Sequence, residues 1–146
     1  MTRDEAIARA AQARVGHLAT VRPDGTPHVV PFVFALVVAR GGDVTVYWTV
    51  DRKPKRSTEL RRIRNLRANP SAEVVVDGYA EEWASLWWVR MRGRGRVVDR
   101  IDERRAAIEA LASKYRQYRS ARPDGEVVAI DVDHMSWWSA SSGDRR

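Results

Sequence analysis

The stretch Arg52-Lys53-Pro54-Lys55-Arg56-Ser57-Thr58 holds the densest concentration of chemistry in the chain. It follows a β-branched and aromatic run and precedes a helical pattern. Pro54 suits the first turn of a helix, where a missing N–H costs nothing. Free amides and the positive end of the helix dipole draw anions to such a place. Lys53 and Lys55 add point charges, Arg56 adds a bidentate fork, and Ser57 and Thr58 add hydroxyl donors. The chemistry such a site could do is phosphate binding, but on the charge pattern alone a solvated basic loop is the commoner outcome. Arg61, Arg62, Arg64 and Arg67 continue the basic theme into the helix, with Arg64 and Arg67 read as ordinary solvent-facing charges.

Other chemistries are poorly supported. There is no cysteine, so disulfides, thiolate metal sites and cysteine nucleophiles are excluded. His17, His28 and His134 lack the spacing of a metal-binding motif, and no metal site is expected. No Ser/His/Asp arrangement can be read from sequence, and no catalytic residue is assigned. His28 reads as structural. The formal charge of +7 and pI of about 10.5 call for an anionic partner without identifying it. Lysine occurs only at Lys53, Lys55 and Lys114; every other basic residue is arginine.

The elements that must position these groups are mostly strands. Thr2–Ala13 reads as a helix within the first 14 residues, with Thr2 and Glu5 forming a capping box. Gly16–Val21 and Val29–Val38 read as a hairpin across the Arg22-Pro23-Asp24-Gly25 turn. After Gly41-Gly42-Asp43 a third strand runs Val44–Val50. A helix covers Thr58–Arg67, with Leu60, Ile63 and Leu66 on one side. Further strands are expected at Ala72–Asp77 and Leu86–Val98, the latter bent at Gly93 or Gly95. A helix over Asp102–Tyr118 turns Ile108, Leu111 and Tyr115 inward, and a last strand covers Glu126–Asp133. Residues 141–146 read as a mobile tail.

The whole chain, 1–146, reads as one domain. No βαβ alternation with a glycine fingerprint is present, which disfavours a dinucleotide-binding α/β fold. The fold class expected is mainly β, mostly antiparallel, with peripheral helices. On the fifth strand Arg90, Arg92, Arg94 and Arg96 share one face, either solvated, paired with acids such as Glu81 and Glu82 across a dimer, or forming an anion-binding stripe. Adjacent Trp87 and Trp88 must point to opposite faces, and Trp137 and Trp138 pose the same choice. The N-terminus has no apolar leader core, and the longest apolar run, Val29–Ala39, is too short to span a bilayer. A cytoplasmic protein without membrane contact is expected.

Four segments in this order resemble a known family: VGHLATVRPDGTPHVVPFVF, YWTVDRKPKRS with RNLRANPSAEVVVD, LWWVRMRGRGRVV, and VVAIDVDHMSWWSA. Together they span about Val15 to Ala140. The chain resembles the pyridoxamine-phosphate-oxidase-like split-barrel superfamily. The short chain and the Lys-Pro-Lys-Arg loop are similar to its branch that uses coenzyme F420, a deazaflavin with a phosphate and a polyglutamate tail. The resemblance implies a split β-barrel and a homodimer with the cofactor at the subunit interface. It also implies a phosphate clamp at Lys53, Lys55, Arg56 and Ser57. By position, Thr49, Val30 and Pro31 would flank the ring, and either Trp87 or Trp88 would reach the cofactor of the other subunit.

The activity this implies is hydride transfer from reduced F420 to a small organic acceptor. FMN on the same fold is the nearest alternative, because FMN also carries a phosphate. A nucleic-acid-binding module is permitted by the pI and six tryptophans but disfavoured by the lack of any recognition signature. A non-catalytic cofactor carrier is a third possibility. Tyr47, His28 and water are equal candidates for the proton donor.

Overall fold

The computed structural model describes residues 1–50, 60–140 and the backbone of 144–145. Seven strands form one antiparallel sheet: β1 (Gly16–Val21), β2 (Pro27–Phe32), β3 (Ala35–Val38), β4 (Val44–Thr49), β5 (Ser71–Gly78), β6 (Trp87–Val97) and β7 (Val127–Ser139). Their order across the sheet is β2-β1-β5-β6-β7-β4-β3. The two edge strands, β2 and β3, are consecutive in the chain and are joined by the bend Val33–Phe34. The sheet therefore wraps around one core to which β1, β2, β4, β5, β6 and β7 all contribute, including Leu18, Phe32, Val46, Trp48, Val74, Val89, Met91 and Ile130. The result is the split barrel expected from the sequence. A two-residue strand, β8 (Asp144–Arg145), pairs with Trp138 and Ser139 within the stretch expected to be a mobile tail; the remainder of that tail lies outside the described residues.

Four helices dress the barrel: α1 (Arg3–Gln12), α2 (Arg61–Ala68), α3 (Ile101–Lys114) and α4 (Arg116–Ser120). The capping box at α1 forms as read: the Thr2 hydroxyl accepts from the Glu5 amide and the Glu5 carboxylate accepts from the Thr2 amide. On α2, Ile63 and Leu66 are buried as their spacing predicts, with Asn65 buried between them. Leu66 sits on Gly95, where a Cβ would approach its Cδ atoms at 2.7 and 2.8 Å. The glycine makes room for the helix. Helix α3 covers the outside of β4 and β7, forming a second apolar cluster of Tyr47, Val98, Ala107, Val127 and Ala129. The first four residues of β7, Val127 to Ile130, are thus buried on both faces, which explains their unbroken apolar run.

The β6 alternation is realised in full. Arg90, Arg92, Arg94 and Arg96 face outward, while Val89, Met91, Gly93 and Gly95 are buried. The expected bend falls between Arg92 and Gly93, where the register with β7 shifts. A Cβ at Gly93 would lie 2.1 Å from the Asp131 carbonyl oxygen, so only glycine fits this bulge.

Several boundaries differ from expectation. Helix α2 begins at Arg61 and not at Thr58, because Leu60 is extended at φ −61° and ψ 146° and serves as its N-cap. The run Val29–Val38 is two strands, because the chain bends at Val33–Phe34 to pass from one sheet edge to the other. The helix expected over Asp102–Tyr118 breaks at Tyr115, which is extended at φ −117° and ψ 122°. Its hydroxyl donates to the carbonyls of Arg14 and Phe34 and accepts from the Phe34 amide. These long-range bonds meet both polar backbone groups of the buried bend residue, a demand local periodicity does not reveal. The last strand extends beyond Asp133 to Ser139, carrying Trp137 and Trp138 into the sheet.

Candidate functional site

At one end of the barrel, the β2–β3 bend, the end of β4, α2 and α4 enclose a cleft of about 300 Å³ lined by Val15, Pro31, Phe32, Val33, Trp48, Thr49, Arg62 and Tyr118. Thr49 is the last residue of β4 before the segment 51–59, which lies outside the described residues. The expected clamp Lys53, Lys55, Arg56 and Ser57 falls within that segment.

The other expected site residues separate by position. Pro31 and Thr49 meet in the cleft. The Thr49 hydroxyl donates to the Glu126 carbonyl at 3.0 Å, leaving its oxygen as an acceptor. Val30 is on the opposite face of β2 and packs against the barrel core. Trp87 and Trp88 do point to opposite faces. Trp87 packs inward, with its indole over Gly78 and the Arg9 guanidinium 5.6 Å from its ring. Trp88 lies on the outer face, opposite Trp138 in register and under Arg90 at 5.2 Å. Neither lines the cleft of its own chain. Trp137 is tied inward, its indole N–H donating to the Met1 carbonyl at 2.9 Å.

Trp48 and Tyr118 were not singled out as site residues in the sequence, whereas Arg62 belongs to the basic run read there. Trp48 lies on β4 and packs into the core. Arg62 stacks over its ring at 4.7 Å, an arrangement that places a cation against the cleft wall. Tyr118 arrives only because the helix breaks at Tyr115. The Trp48 indole N–H is buried without a hydrogen-bond partner. Nearby, Asn65 donates from Nδ2 to the Thr20 hydroxyl at 3.0 Å, while its Oδ1 and the Nδ1 of His28 are also unpaired. Buried polar atoms normally find partners, and each of these marks a place where a ligand or ordered water could complete the bonding.

Electrostatics sort the proton-donor candidates. Burial holds His28 below its ordinary pKa, with help from Arg22, Arg61 and Arg62, so it stays neutral near pH 7. Burial, and then Glu103, push Tyr47 up to about 12. Its hydroxyl donates to Glu103 at 2.7 Å, within a network beneath α3, and neither residue lines the cleft. Of the outer arginines, Arg90 pairs with Glu73 at 3.1 Å and Arg96 forks to both Glu103 and Asp131. Arg92 and Arg94 are solvated. No cluster of three or more histidine or acidic side chains that could hold a metal occurs among the described residues.

Residues 3–139 match the family model described as pyridoxamine 5'-phosphate oxidase. The chain belongs to this family. No curated protein matches the chain. Among solved structures, a conserved hypothetical protein from Mycobacterium tuberculosis is similar at TM-score 0.72 and 19% identity, over 96% of this chain and 86% of that one. A heme binding protein from Mycobacterium smegmatis aligns at TM-score 0.72 and 20% identity, over 97% of this chain and 55% of that longer one. A FAD-binding protein from Mesorhizobium loti aligns at TM-score 0.67 and 23% identity, covering 94% of each. At these identities the likenesses describe the fold. No helix among the described residues is long and apolar enough to cross a membrane.

Proposed function

We propose that this family member is a reductase that binds coenzyme F420 and directs its hydride to a small organic acceptor. The observation that carries the reading is the cleft at the end of β4. It joins an apolar wall to an unpaired buried indole N–H and a stacked guanidinium. Those residues fit the polar edge of a flavin-type ring: the Trp48 N–H offers a donor, Arg62 a cation, and Pro31 and Val33 an apolar face. Lys53, Lys55, Arg56 and Ser57 would hold the phosphate, with charge to spare for an acidic tail. Hydride donation is the chemistry that a reduced deazaflavin supplies when bound, and the protein's part is to orient the ring and exclude water. Tyr118 adds a hydroxyl to the same wall.

A homodimer belongs to this reading. The outer face of the sheet presents Val29, 60% exposed, with half-buried Trp88 and Trp138, and a second copy placed there would bring Trp88 toward its partner's cleft. The FAD-binding relative favours a second reading, in which a flavin takes the cleft instead. A cytoplasmic setting fits both readings.

The test is titration of the purified protein with F420, FMN and FAD, followed by tryptophan quenching. F420 should bind tightest. Charged hydrogen bonds of about 1.5–3 kcal/mol imply that Lys55→Ala weakens binding roughly ten- to a hundredfold. Preference for FMN or FAD would select the second reading. Wild-type affinity in Lys53→Ala, Lys55→Ala and Arg56→Ala alike would remove the clamp.

A further inference from the structure

A second concavity, of about 810 Å³, adjoins the cleft and shares Val33 and Tyr118 with it. It lies where α3 breaks into α4, and its cations are Arg14, Lys114, Arg116 and Arg119. Among the described residues, no carboxylate lines it. Two of the arginines are committed to the end of α3: Arg14 donates to the Lys114 carbonyl at 2.9 Å, and Arg119 to the Ala112 and Ser113 carbonyls at 3.0 Å each. Arg116 is exposed and makes no such bond.

Lys114 differs from all of them. It is one of three lysines in a chain whose other basic side chains are mostly arginine, and lysine alone of the two can give up its proton. Its Nζ donates to the Phe34 carbonyl at 2.9 Å, lies 3.9 Å from the Phe34 ring centroid and 5.2 Å from that of Tyr115, and has no acidic partner. The Tyr115 hydroxyl reaches the same carbonyl at 3.1 Å. A cation-lined groove, an amine wedged between rings without a counter-ion, and a hydroxyl at the same carbonyl form the elements of a carbonyl-capturing site.

We propose that Lys114 is a reactive amine that captures aldehydes or α-keto acids bearing an anionic group, by reversible imine formation in this groove. The neutral Nζ attacks the carbonyl carbon, a C–N bond forms, and the carbonyl pair moves to oxygen, which takes up one of the two nitrogen-bound protons. The C–O bond of the carbinolamine then breaks as its hydroxyl takes a proton and leaves as water, the nitrogen lone pair forms the C=N bond, and the second nitrogen-bound proton returns to the group that protonated the hydroxyl. No oxidant or reductant is consumed. Tyr115 keeps its proton, since burial holds its pKa above the ordinary value, and is placed to supply it to the departing hydroxyl. Arg116, with the spare donors of Arg14, receives the anion. Burial, and then the nearby Arg14, bring Lys114 down to about 8, so about a tenth of it is neutral at pH 7. The groups facing it from every packed element are Arg14, Tyr115, Arg116, Tyr118 and Arg119.

The site is independent of the cofactor reading, and its test needs no cofactor. Wild-type protein is treated with glyoxylate and cyanoborohydride, and the trapped amine is located by peptide mass mapping. Lys114 should label at least about tenfold faster than Lys53 or Lys55 at pH 7, with a rate that levels off above pH 8. Uncharged propionaldehyde should label Lys114 more slowly. Arg116→Ala should slow glyoxylate several-fold and leave propionaldehyde unchanged. Lys114→Arg retains a cation beside the Phe34 carbonyl and should fold yet leave that peptide unlabelled. Labelling of Lys114 no faster than Lys53 and Lys55 would overturn the proposal. An equal effect of Arg116→Ala on both aldehydes would overturn the anion preference. Both readouts that decide it come from proteins with Lys114 in place, so a Lys114 variant that failed to fold would not shield it.

Discussion

Glu103 fastens α3 to the barrel, and its removal should be visible as a function of pH. Its carboxylate accepts two guanidinium bonds from Arg96, each at 2.8 Å, and one from the Tyr47 hydroxyl at 2.7 Å. The Arg96 bonds above all hold its pKa at about 2, against an ordinary 4.5. A carboxylate so displaced contributes at most about 3 kcal/mol to folding. The Arg96 side chain is 42% exposed, and water screens the pair, so about 1.5 kcal/mol is the better expectation. Glu103→Gln should therefore lower Tm at pH 7 by roughly 3–6 °C for a chain of this length. The sign in acid follows from the folded group being the stronger acid. Its contribution is complete above pH 4.5 and is lost as pH falls toward 2, with about two-fifths remaining at pH 3. Calorimetry of wild type and variant at pH 7, 5, 4 and 3 should show a gap that is constant down to pH 5 and then narrows. A gap of equal size at pH 3 and pH 7, or none at pH 7, would refute the reasoning.

Gly93→Ala would force a methyl against the Asp131 carbonyl at the β6–β7 bulge and should cost about 2 kcal/mol or more, read as a shifted urea midpoint; an unchanged midpoint would mean the bulge yields easily. Thr20→Val removes the bond between the Asn65 amide and the Thr20 hydroxyl and should cost about 1–3 kcal/mol, measured the same way, with a neutral result implying that water already serves Asn65. Trp48→Phe keeps a ring beneath Arg62 but loses the N–H. It should weaken cofactor binding about two- to tenfold, and an unchanged dissociation constant would show that the indole N–H does not meet the ligand.

Much of this architecture was legible because local patterns carried it. The Thr2–Glu5 box, the glycine turns and the strict β6 alternation each depend on residues within a few positions of one another, and each formed as read. Gly25 and Gly42 take φ of 86° and 94°, which their turns require. What the pattern could not show depends on contacts distant in sequence. The break in Val29–Val38 and the break at Tyr115 are two sides of one contact, 81 residues apart, and neither segment alone signals it. The same contact brings Tyr118 to the cleft. Nothing local marks Trp48 or Lys114 either; only the tertiary fold shows the indole lining a cleft and the amine between rings.

The open edge of the barrel at β2 has a further consequence. Register with β1 pairs Pro27, Val29 and Pro31 with Val21, Ala19 and His17. A proline can occupy such a position only where its nitrogen is turned away from the ladder, so these three residues are the ones whose backbone faces outward. Two of the three have no amide hydrogen to offer. A strand from another molecule approaching this edge would find a single donor, at Val29, where a continuous row would be needed to hold it. The chain can therefore expose an apolar strand end beside its cleft without that edge becoming a template for polymerisation.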